Sequence, residues 1–244
     1  MTLFLFYNET MIQGIKIEIC IGNIDDAIRA DSYPIDRIEL NSALELGGLS
    51  PSLETIRTLK EKISVPLCCM CRPRGGDFFY TDLEYETMRK DAQAMLEAGA
   101  DGIVFGFLKE DNRVDEKRTR EMVKLIHSYQ KEAVFHKAFD ETPDPEEAIQ
   151  VLIGCGADRI LSSGQAVYPD ILAGCRRLHD LHERYHDQIQ LLPGGGVRVE
   201  NIQDVIRISG CGQVHMTSKK THEGAYLCLD EQQLQRMLKQ IAEL

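Results

Sequence analysis

The chain contains no tryptophan and is short of positive charge: 28 Lys and Arg stand against 39 Asp and Glu, a net charge of -11. That balance argues against general affinity for nucleic acid or an anionic membrane and leaves room only for local basic pockets. No apolar run approaches the length of a membrane span. Eight cysteines occur without C-x2-C…C-x2-C spacing, in a chain far too long for a small disulfide-stapled scaffold, so reduced thiols are expected. The opening Met1-Thr2-Leu3-Phe4-Leu5-Phe6 is too short for a secretory signal and lacks its basic start. These absences predict a cytoplasmic protein. Residues 1–14 fit the following pattern poorly and read as an N-terminal extension, with Met11 as an alternative start.

What is present is an ordinary globular composition, 43% hydrophobic and 27% charged, over 244 residues, enough for one barrel-sized domain with a substantial core. Short apolar strands are expected at Ile15–Cys20, Ile35–Leu40, Val65–Cys71, Gly102–Phe105, Ala133–Lys137, Arg159–Leu161, Ile189–Leu192 and Val214–Met216. Helix-favouring segments separate them, beginning near Ile24, Pro51, Asp82, Asp115, Asp144, Tyr168, Glu200 and Glu231. Ser50-Pro51 and Thr142-Pro143-Asp144-Pro145 have the form of helix starts. Eight strand–helix alternations predict a single (β/α)8 TIM-type barrel over residues 15–244. A doubly wound sheet is the weaker reading, because no G-x-G-x-x-G turn follows the first strand.

In such a barrel the chemistry collects at the C-terminal ends of the strands. Glu18 and Cys20 alternate with Ile17 and Ile19, and Arg37 and Glu39 with Ile38 and Leu40, so the polar set is expected to face the barrel interior. Glu18 and Glu39 are either buried partners of Lys16, Arg37 or Arg72, or an acid and a base. After the third strand, Arg72-Pro73-Arg74-Gly75-Gly76-Asp77-Phe78 places two guanidinium forks on a turn, as an anion site requires. His136 with Asp140 after the fifth strand could exchange a proton, or His136 could be a satisfied core histidine. Ser163 ends the sixth strand, Gly194, Gly195 and Gly196 follow the seventh and Ser218 the eighth, where backbone N–H groups can cradle an anion.

The sulfurs of Cys68-Cys69-Met70-Cys71 suit Cu(I), though period-2 geometry separates them into two faces. Cys69 and Cys71 share a face and are either core packing or metal ligands, with Cys20 as a third candidate. His179, His182 and His186 recur at helical spacing among Arg177, Glu183 and Arg184, the pattern of a solvated helix face.

The arginine turn with Tyr80, Gly102-Ile103-Val104-Phe105-Gly106-Phe107-Leu108, Phe135-His136-Lys137-Ala138-Phe139-Asp140, Leu161-Ser162-Ser163-Gly164 and Pro193-Gly194-Gly195-Gly196-Val197 together resemble the copper homeostasis protein CutC family. Glu18-Ile19-Cys20, Glu39-Leu40 and Val214-His215 extend the resemblance over nearly the whole chain. It implies a cytoplasmic, self-associating TIM-type barrel linked to copper handling. In related animal proteins cysteines ending the first two strands are proposed Cu(I) contacts. Cys20 matches the first, whereas Asn41 occupies the second, and Lys137 stands where the family often has arginine.

Two functions follow. One is copper homeostasis, with Cu(I) on cysteine thiolates and no organic cofactor. The other is an enzyme acting by acid–base chemistry on a phosphorylated or carboxylated small molecule, with Glu18, Glu39, His136 and Asp140 as catalytic candidates. The expected partners are a copper ion or a small anion and further copies of the chain.

Overall fold

The computed structural model describes residues 11–223 and 226–244, so the first ten residues of the expected extension lie outside the described residues. Eight short strands form one sheet: β1 (Lys16–Ile21), β2 (Arg37–Leu40), β3 (Leu67–Met70), β4 (Gly102–Phe105), β5 (Glu132–Phe135), β6 (Arg159–Ser162), β7 (Gln190–Pro193) and β8 (Gln213–Met216). They run in the order β7-β6-β5-β4-β3-β2-β1-β8, with every pairing parallel. The remaining seam between β7 and β8 is bridged by Gln213, whose Nε2 donates to the Leu191 carbonyl over 3.1 Å. The protein is therefore a nearly closed (β/α)8 barrel.

Helices α1 (Ile24–Ala30), α2 (Leu53–Lys60), α3 (Asp82–Glu97), α4 (Glu116–Ser128), α5 (Pro145–Cys155), α6 (Leu172–Tyr185), α7 (Ile202–Ser209) and α8 (Glu231–Ala242) surround the barrel. Each helix covers the sheet with one stripe. In α8 the buried residues Leu234, Met237, Leu238 and Ile241 recur at helical spacing, and in α7 Ile202, Val205, Ile206 and Ser209 do the same. Side-chain caps set the starts: Thr81 and Glu84 make a reciprocal capping box on α3, and Asp144 caps α5 with Pro145 in its first turn.

Two features depart from the sequence expectation. β5 ends at Phe135, two residues earlier than expected, because His136 leaves the strand and caps a 3-10 turn over Lys137–Glu141. A hairpin, β9 (Lys219–His222) with β10 (Tyr226–Leu229), is inserted between β8 and α8. It is tied down at its base, where Asp26 of α1 accepts from the Leu229 backbone N–H over 2.7 Å and Ser218 Oγ donates to the Asp230 carbonyl over 2.6 Å.

The barrel interior is partly ionic. Glu18 accepts from the Arg37 Nε and lies 3.5 Å from Arg159, which is fully buried and grips Glu132 through two bonds of 2.5 and 2.8 Å. Arg37 also donates to Gln213 over 3.1 Å. This layer is stable only because each charge has a partner. Beside it Cys68, Met70, Val104 and Val134 form a small apolar cluster inside the barrel.

Candidate functional site

Strand order brings three polar strand ends together, since β1 pairs with both β2 and β8. The register sets Cys20 opposite Glu39 and Glu18 opposite His215. One ligand atom from each of Cys20, Glu39 and His215 lies within 4.8 Å of the other two. Asn41, two residues past Glu39 on the same face, spans the pair: its Nδ2 donates to Glu39 Oε2 over 2.7 Å and reaches Cys20 Sγ at 3.4 Å. At the position where the resemblance implied a second thiol, an amide thus ties the first thiol to a carboxylate.

The imidazole is oriented from below. His215 Nδ1 stands 2.7 Å from Glu18 Oε1 and Nε2 3.9 Å from Glu39 Oε2. With Nδ1–H given to Glu18, Nε2 faces the cluster, the carboxylate–imidazole arrangement that fixes histidines at metal centres. Burial opposes charge on Glu18, but Arg37, the His215 hydrogen bond and Arg159 outweigh it and hold the carboxyl far below its usual range. Burial likewise opposes the His215 imidazolium, and Glu39 and Glu18 overcome it, so its pKa is raised. The Cys20 thiol is pushed well up by burial and then by the Glu39 carboxylate. A proton therefore stays on the sulfur when no cation is there, and the same carboxylates favour protonation of the imidazole.

Glu39 Oε1 is buried and has no hydrogen-bond partner among the described residues. A buried carboxylate oxygen without a donor is unfavourable, and a cation among these three groups would supply the missing charge. The donor set of one sulfur, one nitrogen and carboxylate oxygen therefore fits a transition-metal ion.

A second wall of the mouth carries His136, Lys137 and Arg72. With Cys20, Glu39, Asn41, His215 and Leu44 they line a cavity of about 130 Å³, and Lys137, Cys20 and His215 also line an adjoining one of about 250 Å³ that opens past Lys219. The His136 ring fits only because residue 106 is glycine, where a Cβ would come within 2.4 Å of it. Its Nδ1 accepts from the Ala138 N–H over 3.1 Å, and burial together with the Arg72 guanidinium brings its pKa down to about 3. His136 is consequently neutral, with its hydrogen on Nε2.

The other residues singled out from the sequence take separate places. Asp140 accepts from Lys137 Nζ at 2.6 Å, Ser162 Oγ at 2.5 Å, Ser163 Oγ at 2.9 Å and the Gln165 N–H at 3.0 Å, stapling the turn after β5 to the loop after β6. Arg72 spends its terminal nitrogens on the carbonyls of Gly47, Gly48 and Gly76. Arg74 turns back onto Glu84 at 2.6 Å and onto Asp77 and Phe79, away from the mouth. Gly194, Gly195 and Gly196 line or border the mouth, with Gly195 against the Lys137 ammonium, whereas Ser218 sits at the hairpin base. Cys69 and Cys71 lie on the outer face of β3 in the layer beneath the helices, where Cys71 Sγ contacts the Met88 carbonyl of α3 at 3.3 Å. The structure does not bring them to Cys20. His215 was not among the sequence candidates, although its alternation with Val214 and Met216 carries the same signal that marked Glu18 and Glu39.

A family model described as the CutC family matches residues 15–220. The chain belongs to the CutC family. A CutC family protein of Treponema denticola is 42% identical over 212 residues, 87% of this chain and 85% of that protein. A human protein named copper homeostasis protein cutC homolog is 34% identical over 210 residues, 86% of this chain and 76% of its own length. A crystal structure of a copper homeostasis protein CutC from Streptococcus agalactiae superposes with a TM-score of 0.76 at 33% identity, covering 82% of this chain and 97% of that one. Among the described residues of this CutC chain, no helix is long and apolar enough to cross a membrane.

Proposed function

We propose that this CutC-family protein binds a single Cu(I) ion at the barrel mouth, through the Cys20 thiolate and His215 Nε2 with Glu39 beside them, as part of cytoplasmic copper handling. The observation that carries this reading is the convergence of those three groups, one ligand atom from each within 4.8 Å of the others, on a carboxylate whose Oε1 has no hydrogen-bond partner among the described residues. Soft sulfur and imidazole donors suit Cu(I). The name of the human relative points the same way, and eight free cysteines accord with a reducing compartment. The expectation of several thiolates becomes one thiolate with an imidazole, since Cys69 and Cys71 belong to the outer layer. Self-association, implied by the family resemblance, remains part of the proposal and is measured by sedimentation velocity.

The test is anaerobic Cu(I) titration of the reduced full chain against a competing chelator. One equivalent should bind, Cys20→Ser and His215→Ala should abolish tight binding, and replacing Cys69 and Cys71 together should leave the stoichiometry unchanged. Binding that survives Cys20→Ser, or that disappears with the outer pair, overturns the assignment.

A further inference from the structure

We propose that the second wall of the barrel mouth, formed by His136, Lys137 and Arg72, is a binding site for the oxyanion of a small carboxylate or phosphate compound. This wall faces the metal cluster across the same cavity and differs from it in offering donors where the cluster offers ligand atoms.

The first argument is the hydrogen-bond state of His136. The side chain is 3% exposed, its Nδ1 is occupied by the Ala138 N–H, and its Nε2 has no partner among the described residues. Because Nδ1 accepts, Nε2 must carry the hydrogen, which makes it a buried donor without an acceptor on the wall of a cavity. Buried donors are rarely left unsatisfied in a folded chain. The protein also devotes a backbone position to seating this ring, as only glycine at 106 leaves room for it.

The second argument is that the neighbouring groups are donors and positive charges. Among the described residues Lys137 Nζ has one acceptor, Asp140, which its bonds from Ser162, Ser163 and Gln165 hold in place, and an ammonium has three hydrogens. Gly195 borders the ammonium so closely that a Cβ there would approach Nζ to 2.6 Å. Arg72 is clamped by three carbonyls and stacked on Phe78 at 5.0 Å, itself 4.7 Å from the His136 ring, and its Nε has no partner among the described residues. Arg72 thus supplies fixed positive charge. Among the described residues the unfilled valences of His136, Lys137 and Arg72 are all donors, the complement of an oxyanion, whereas the unfilled acceptors of the same cavity, Glu39 Oε1 and Asn41 Oδ1, stand on the opposite wall. A cavity of about 130 Å³ restricts the anionic end to a compact group, and the adjoining space of about 250 Å³ has room for the rest of a small molecule.

The test uses the reduced, metal-free full chain, so its outcome is independent of copper binding. Inorganic phosphate, acetate and glycolate are titrated while the His136 Nε2–H resonance is followed by proton–nitrogen NMR, with binding also measured by calorimetry. Saturable movement of that resonance is expected with at least one probe. Phosphate alone acting indicates a phosphorylated ligand, and acetate or glycolate alone acting indicates a carboxylate. Lys137→Met, at a partly exposed position that should not disturb folding, and His136→Phe should each weaken binding about tenfold or more, whereas exposed Lys124→Met should not. No saturable shift with any probe, or binding that both substitutions leave unchanged, overturns the proposal.

Discussion

His215 Nδ1 lies 2.7 Å from Glu18 Oε1, and through this contact the cluster at the barrel mouth is joined to the ionic layer beneath it. The same Glu18 carboxylate receives Arg37 and faces Arg159, so one residue both neutralises two buried guanidinium groups and aims an imidazole. Cys20 and Glu39 sit above that contact, on strands that flank or continue it. The mouth is therefore oriented by groups that never reach it.

Glu18→Gln should unfold the protein more easily by about 3–5 kcal/mol, because Arg37 and Arg159 would be left buried with too little counter-charge. Glu39→Gln, which removes no ion pair from that layer, should change stability by about 1 kcal/mol or less while weakening Cu(I) binding. Urea denaturation of both variants, paired with the copper titration, separates the two roles.

Copper affinity should rise with pH. The Cys20 thiol is raised by burial and Glu39, so it holds a proton that a metal must displace, and Glu39 and Glu18 favour the His215 imidazolium, so protons compete with the metal at that donor as well. Proton release on binding makes the apparent affinity larger at about pH 8 than at about pH 6. Calorimetry in buffers of different ionisation enthalpy counts the released protons, and an absence of proton release would contradict the assigned donors.

His136 should make folding stability fall in acid. Its pKa is about 3 in the folded protein against an ordinary 6.5, so below 6.5 the unfolded chain binds the proton more readily than the folded one. The His136 contribution is present above about pH 6.5 and is lost progressively as the pH falls toward 3. His136→Phe keeps a ring beside Phe78 and should flatten that part of the curve, read as the difference between wild-type and variant stabilities across the range.

Two glycine substitutions should act in opposite directions. Gly196 has φ +111° and an added Cβ would come within 2.2 Å of the Pro169 carbonyl oxygen, so Gly196→Ala should cost about 2 kcal/mol or more. Gly154 lies within α5, where an added Cβ meets nothing within 4 Å, so Gly154→Ala should stabilise by about 0.5–1 kcal/mol. Thermal unfolding of the two variants checks the contrast.

Much of the architecture was legible because two periodicities carry it. The expected strand Gly102–Phe105 coincides with β4, and helices expected near Ile24, Asp82 and Glu231 begin at those residues. The β9–β10 pair escaped notice because β9 is exposed along its whole length and has no buried face to impose alternation. The early end of β5 was equally hidden, since His136 leaves the strand through a hydrogen bond from Ala138 N–H to its own ring, a local contact that hydrophobic patterning does not encode.

At the mouth, inward alternation identified Glu18, Cys20 and Glu39 from sequence, and glycines marked the turn after β7. The partners of these residues lie far away in the chain: His215 is 197 residues from Glu18, and Arg159 is 141 residues from it. Period 2 likewise placed Cys69 and Cys71 on one face without saying which face, a choice made by packing of β3 against α3. The arginine turn shows the same division, for Arg72 and Arg74 differ by two positions, yet one lines the cavity and the other is consumed by Glu84.

The sequence by itself determined the alternating strands and helices, the family and the ring of polar strand ends, because hydrophobic periodicity, caps and motifs are local properties of the chain. Only the tertiary structure decided which of those residues meet. Closing β1 against both β2 and β8 gathers Cys20, Glu39 and His215, packing against α3 buries Cys69 and Cys71 on the other face, and among the described residues His136 keeps a donor without an acceptor. Those outcomes depend on strand register and on which side chains exhaust one another's hydrogen bonds, and both are properties of contacts between distant segments.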